Sequence, residues 1–193
     1  MPLLIMVMGL PGTGKSTLAK LLTQKIPNSV LCSSLQVKRD LGYQRFSDRR
    51  KDRIYFELKQ RINEGLANKK NVIIDRGICR AAARQEMLEL VFLYHYQAFI
   101  LECLCSVKTA ERRIRQRIKK DKLINDPTDP RVHRRIAKIW EPIKVSRRRK
   151  NYPPVAYLQV NTEKPSIAEV VVPAKLSRPA KQIEKIIQDY WQG

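Results

Sequence analysis

An apolar run, Leu3-Leu4-Ile5-Met6-Val7-Met8, stops at Gly9-Leu10-Pro11-Gly12-Thr13-Gly14-Lys15-Ser16-Thr17 and gives way to a helical pattern. No other stretch constrains the fold as tightly. The spacing, Gly, four residues, Gly-Lys-Ser, is that of a P-loop, and a strand before with a helix after is the context the motif requires. Glycines let the backbone curl until successive N–H groups point inward and cradle anionic phosphate oxygens. The positive end of the following helix adds to that field. On this reading Gly9, Gly12, Thr13, Gly14, Lys15, Ser16 and Thr17 hold a nucleotide. Lys15 reaches the β- and γ-phosphates, and the Ser16 hydroxyl ligates Mg2+.

Periodicity lays out the rest. Leu18, Leu21, Leu22 and Ile26 share one face of a helix that begins at Lys15. A short strand over 29–32 ends at Ser33-Ser34, and a short helix follows from Gln36 to Leu41. Ile54, Leu58, Ile62 and Leu66 recur every four residues, which predicts a long amphipathic helix over 48–66 with Asp48 as its cap. Asn71-Val72-Ile73-Ile74-Asp75 reads as a third strand that ends in a carboxylate. A helix over 80–92, a fourth strand around 99–103 and an arginine-rich helix over 109–119 come next. In that last helix Ala110, Ile114 and Ile118 face inward. Asn125-Asp126-Pro127-Thr128-Asp129-Pro130 breaks it and predicts a mobile connection. A basic helix through Trp140, a fifth strand over 156–160 and a final helix carrying Ile183, Ile186, Ile187 and Tyr190 complete the chain. That final helix has an apolar face for the sheet or for a second copy.

Strands alternating with helices specify an α/β sandwich, three layers around a parallel sheet. Ligands of such sheets bind at the carboxyl ends of the strands, where the P-loop, Ser33-Ser34, Asp75 and the start of the arginine-rich helix all fall. The chain's 193 residues, 43% of them hydrophobic, suit one domain with a proper core. Residues 1–162 are expected to form it, with a lid around 113–140, and 163–193 to extend it as a helical tail. No apolar run approaches the ~20 residues of a membrane span. The N-terminus has neither a basic region nor a cleavage site, so a cytoplasmic location is expected. Cys32, Cys79, Cys103 and Cys105 match no zinc spacing and read as reduced thiols, with Cys103 and Cys105 on one side of a strand. His95 and His133 stand alone, without sequence neighbours that suggest a metal site.

Charge is the second large signal. Lysines and arginines number 39 against 18 acids, a formal +21. Such a balance attracts polyanions, RNA or DNA first. Arg49, Arg50, Lys51 and Arg53 form one cluster and Arg147 to Lys150 another. Tyr43, Phe46, Tyr55 and Phe56 lie near the first, either as core residues or as platforms for bases.

Asp75, at the tip of a buried strand, can hold Mg2+ directly or through water, serve as base toward an acceptor hydroxyl, or cap the next turn. Arg113 and Arg117 lie one helical turn apart and point the same way. Arginines so placed stabilise the charge that spreads over a migrating phosphoryl group, as a lid closing over ATP requires. The alternative is contact with solvent or with nucleic-acid phosphates.

Taken together, the arrangement resembles the small P-loop kinases of the zeta-toxin and polynucleotide-kinase type, often labelled only as AAA or ATP-binding proteins. The matching residues are Gly9 through Thr17, Ser33-Ser34 with Val37, Lys38 and Leu41-Gly42, and Val72 through Asp75 with Arg84. They continue through Cys105, Arg113-Ile114 and Arg117, Asp126 and Asp129, and Glu141-Pro142. The resemblance implies a five-stranded sheet of order 2-3-1-4-5, ATP as phosphoryl donor, and Arg113 and Arg117 in a lid near the phosphates. It also places the adenine at Asn161-Thr162. One departure stands out: the family's aspartate after the Ser-Ser pair, which activates the acceptor hydroxyl, is here Leu35. Asp75 followed by Arg76 is similar to the Asp-Arg pair of thymidylate-type kinases, which implies Asp75 as base, with Asp40 as a second substitute. The expected activity is transfer of the γ-phosphate to a hydroxyl, on a polynucleotide 5′ end or a small molecule. The alternative is a nucleic-acid-binding ATPase that has lost acceptor phosphorylation.

Overall fold

The computed structural model describes residues 1–43, 48–120, 129–145 and 154–192. Phe46, Asp126, the residues 125–128 of the expected mobile connection and the cluster Arg147 to Lys150 lie outside them, as do the side chains of Asp48 and Ile118.

Six strands form one sheet in the order β2-β3-β1-β4-β5-β6. They are β1 (Leu3–Met8), β2 (Ser29–Ser33), β3 (Asn71–Asp75), β4 (Gln97–Leu104), β5 (Val155–Asn161) and β6 (Ser166–Val171). The first five are parallel and take the expected order. The sixth runs antiparallel to β5 and corrects the expectation of a five-stranded sheet. Its segment sits between Pro165 and Pro173. Proline tolerates a sheet's margins but not its interior, so two prolines frame an edge strand rather than exclude one.

Every residue of β1 is buried, as a central parallel strand covered on both faces must be. On one face Leu58, Ile62 and Leu66 of α3 (Asp48–Ala67) and Met87 and Val91 of α4 (Ala81–Leu93) pack against Leu4, Met6, Ile74 and Ile100. On the other, Leu18 and Leu22 of α1 (Lys15–Lys25) and Ile183 and Ile187 of α7 (Ser177–Gln192) pack against Ile5, Val7, Ile73 and Phe99. The apolar face of α7 is thus spent on the sheet. Three further helices stand at the carboxyl edge: α2 (Ser34–Asp40), α5 (Val107–Lys120) and α6 (Val132–Ala137). No described helix is long and apolar enough to cross a membrane.

Candidate nucleotide site

β1 ends at Met8 and the backbone turns at once through Gly9, at φ 139. A side-chain carbon there would stand 2.5 Å from the Cys103 carbonyl oxygen, and one at Gly12 would stand 2.6 Å from that of Ala110. The loop therefore threads between β4 and α5 with no room for side chains at those two points. Its N-cap into α1, Gly14, has no side chain to take up the N–H groups of the first turn; Thr17 N–H turns to the Gly14 carbonyl at 3.1 Å, which leaves those of Lys15 and Ser16 for a ligand.

The loop's carbonyls, by contrast, have partners. Leu10 O accepts from the Thr13 hydroxyl at 2.8 Å and from Lys15 Nζ at 3.2 Å. Pro11 O meets His133 Nδ1 at 2.8 Å, Gly12 O the Cys105 thiol at 3.9 Å, and Thr13 O the Thr162 hydroxyl at 2.8 Å. Cys105 lies one residue past the end of β4 rather than on it.

Asp75, 6% exposed, pairs across the sheet with Val7 on one side and Ser33 on the other. Its Oδ2 accepts from the Ser33 hydroxyl at 3.2 Å. Burial pulls the Lys15 ammonium below its ordinary pKa; the Asp75 carboxylate opposes that shift, and the Arg117 guanidinium adds to it. Arg117, on α5, is exposed. Ser16 is half-buried and Thr17 exposed at the start of α1. Among the described residues no group of three or more His, Cys, Asp or Glu side chains could hold a metal. Mg2+ carried with a nucleotide needs none, because it keeps waters and draws on phosphates plus one or two protein oxygens. The Ser16 hydroxyl and the Asp75 carboxylate are oxygens of that kind.

Arg113, one helical turn before Arg117, is turned onto Thr162. Its guanidinium is bidentate on Thr162, with Nη1 donating to Oγ1 at 2.8 Å and Nη2 to the carbonyl at 2.7 Å. Beside it opens a cavity of about 280 Å3 whose lining includes Gly14, Leu21, Arg113, Thr162, Tyr190 and Trp191. The apolar walls and the arginine suit a nucleobase and its ribose.

Beyond β2, Leu35 is the second residue of α2 and offers no proton acceptor. Arg76, next along from Asp75, lies over the Tyr55 ring at 4.5 Å, and burial depresses its pKa. The Tyr55 hydroxyl donates to Glu86, which also pairs with Lys59. Asp40 is engaged by Arg61 at 2.6 Å and by Gln36. Tyr43 and Tyr55 pack on the core, whereas Phe56 is 52% exposed under Arg53.

Sequence reasoning missed three residues. Glu163 accepts from the Thr109 hydroxyl at 2.6 Å and from the Ser106 N–H at 2.7 Å, fixing the start of α5. Those bonds hold its carboxyl down at about 2. Thr162 enters the sequence reading only beside the adenine, yet its hydroxyl ties β5's end to the P-loop. His133, 3% exposed on α6, reaches the loop from 122 residues away. Around it, Arg134 pairs with Glu111 of α5 at 3.0 Å, and Arg84 donates to the Glu141 and Pro142 carbonyls. That last pairing brings together residues that the family resemblance had singled out, as do those of Cys105 with Gly12 and Thr162 with Thr13.

A family model described as an AAA domain matches residues 4–139. No protein of curated function matches the chain by sequence. Among solved structures, a protein of Chloroflexus aurantiacus provisionally described as a kinase superposes with a TM-score of 0.65 at 20% identity, over 99% of this chain and 96% of that one. A chain of the Pnkp1/Rnl/Hen1 RNA repair complex gives 0.59 at 20% identity over 77% of this chain. This chain spans only 50% of that one's length. Kti12 of Chaetomium thermophilum, in complex with ADP-AlF3, gives 0.54 at 14% identity, over 99% and 98% of the two chains. At such identities the likeness is one of fold.

Proposed function

The chain belongs to the AAA domain family, and on that premise we propose that it is an ATP- and Mg2+-dependent kinase that moves the γ-phosphate to a hydroxyl acceptor. The observation that carries this reading is the glycine loop itself, which has no room for side chains at Gly9 and Gly12, standing beside the buried Asp75 at the end of the neighbouring strand. Residues 1–162 provide the catalytic unit with its lid around 113–140, and 163–193 complete it.

The base and ribose occupy the cavity beside Arg113, and Arg113 is held there by Thr162. The P-loop N–H groups and Lys15 bind the phosphates and place the γ-phosphoryl group toward Asp75. The Ser16 hydroxyl, with Asp75 acting through a water, would hold Mg2+, which would supply positive charge against the transferring group. The Asp75 carboxylate takes the acceptor's proton, which Leu35 cannot do. Arg117 offsets the negative charge that spreads over the migrating phosphoryl. A polynucleotide 5′ end fits the formal charge of +21 better than an uncharged small molecule does.

Incubation with γ-labelled ATP, Mg2+ and a 5′-hydroxyl oligonucleotide tests the proposal. Label on the oligonucleotide is the expected result. Transfer to a nucleoside or sugar panel alone keeps the kinase and removes the polynucleotide. Free phosphate alone favours the second reading, a nucleic-acid-binding ATPase, for which Leu35 in place of an acid is the supporting observation.

A further inference from the structure

We infer that His133 is a positioning residue of the phosphate site: by holding the Pro11 carbonyl it sets the Pro11–Gly12 peptide so that the Gly12 N–H faces the nucleotide. The inference rests on the nucleotide-binding reading above.

The argument begins with the peptide plane. In a trans peptide the C=O and the N–H point in opposite directions, so fixing one fixes the other. Pro11 O lies 2.8 Å from His133 Nδ1. A carbonyl only accepts, so Nδ1 carries the proton and the tautomer is set. The Gly12 N–H is then directed away from α6.

Pro11 and Gly12, the latter at φ 83, are the central pair of a turn that Thr13 N–H closes on Leu10 O at 3.3 Å; types I and II share that bond and differ by a flip of the central peptide, so the bond alone does not fix the Pro11–Gly12 plane. The neighbouring carbonyls are restrained in the same sense, Gly12 O by Cys105 and Thr13 O by Thr162. Three partners from three distant segments thus hold three successive carbonyls of one loop, and His133 holds the first of them. The His133 ring is itself fixed: it is almost fully buried, and Arg134 beside it anchors α6 to Glu111 of α5. The segment that follows the arginine-rich helix therefore shapes the phosphate cradle without touching phosphate.

Side chains that mimic one nitrogen or the other test this. The amide of Asn overlays Nδ1–H, and that of Gln overlays Nε2. His133→Asn should bind ADP as the wild type does. His133→Gln and His133→Ala should weaken ADP binding about tenfold, the worth of one hydrogen bond. In 15N-labelled protein the Gly12 amide should move on adding ADP in the wild type and in His133→Asn, and lose that response in the other two. Asn and Gln variants that behave alike overturn the inference. So does a wild-type imidazole whose 15N shifts put the proton on Nε2 and leave Nδ1 bare, a measurement that needs no variant to fold. A wild type that shows no response to ADP instead overturns the nucleotide reading.

Discussion

On the donor side of the sheet's carboxyl edge, each carbonyl from Leu10 to Thr13 is held by a partner, and Arg113 is locked on Thr162 by two bonds. On the acceptor side, Leu35 presents carbon where proton transfer wants oxygen, Asp40 is spent on Arg61, and Arg76 rests on an aromatic face. The first region is organised around an anion of fixed geometry. The second is lined by cations and rings that accommodate many shapes. On the proposed reading, donor recognition would rest on backbone held in place by its partners and acceptor recognition on side chains.

The largest expected effect strikes the donor side. Lys15→Ala should lower kcat/KM for ATP turnover by about a thousandfold, the scale of losing one preorganised charge at the transferring group. Turnover that survives would refute the P-loop assignment. Next, Asp75→Asn should slow transfer to the acceptor about a hundredfold while ADP affinity holds. Equal loss of both would erase the distinction between the two sides, because Asp75 would then serve the donor alone. Thr162→Val removes the hydroxyl shared by Thr13 and Arg113 and should raise the ADP Kd about tenfold in calorimetry.

The smallest effect concerns acid. The Glu163 carboxyl is held at about 2 against an ordinary 4.5. A depressed folded-state pKa means that its bonds to Thr109 and Ser106 act fully above the ordinary value and fade as pH falls toward the lower one. Melting curves across that window should show the wild type losing more stability than Glu163→Gln. Parallel curves would mean that the start of α5 is held by something else.

What could be read from the sequence follows from distance along the chain. β1, the P-loop and α1 are contiguous, and their chemistry is written in adjacent residues. Ile54, Leu58, Ile62 and Leu66 announce α3 by spacing alone. β6 was hidden because an edge strand draws its pairing from β5 and needs no strong pattern of its own. His133 and Thr162 were hidden more deeply, since they reach the P-loop across 122 and 149 residues. Neither carries a motif: an isolated histidine or threonine acquires meaning only when the fold delivers a lone carbonyl to it. Leu35 shows the converse. It is visible at once as a departure, and Asp75 as the candidate base in its place; the structure adds the Ser33 hydroxyl on Asp75 Oδ2.

The turn from β5 into β6 also bears on the order of synthesis. Five parallel strands all run toward the site, so a helix after β5 would begin there and descend. The antiparallel β6 carries the chain back down first, so that α7 climbs beside α1 and ends with Tyr190 and Trp191 in the wall of the base cavity. A ribosome thus delivers that wall after every other described part of the pocket. Chains cut short of α7 should hold a P-loop but lack the Tyr190 and Trp191 wall of the cavity, and so should bind ADP more weakly than the full chain.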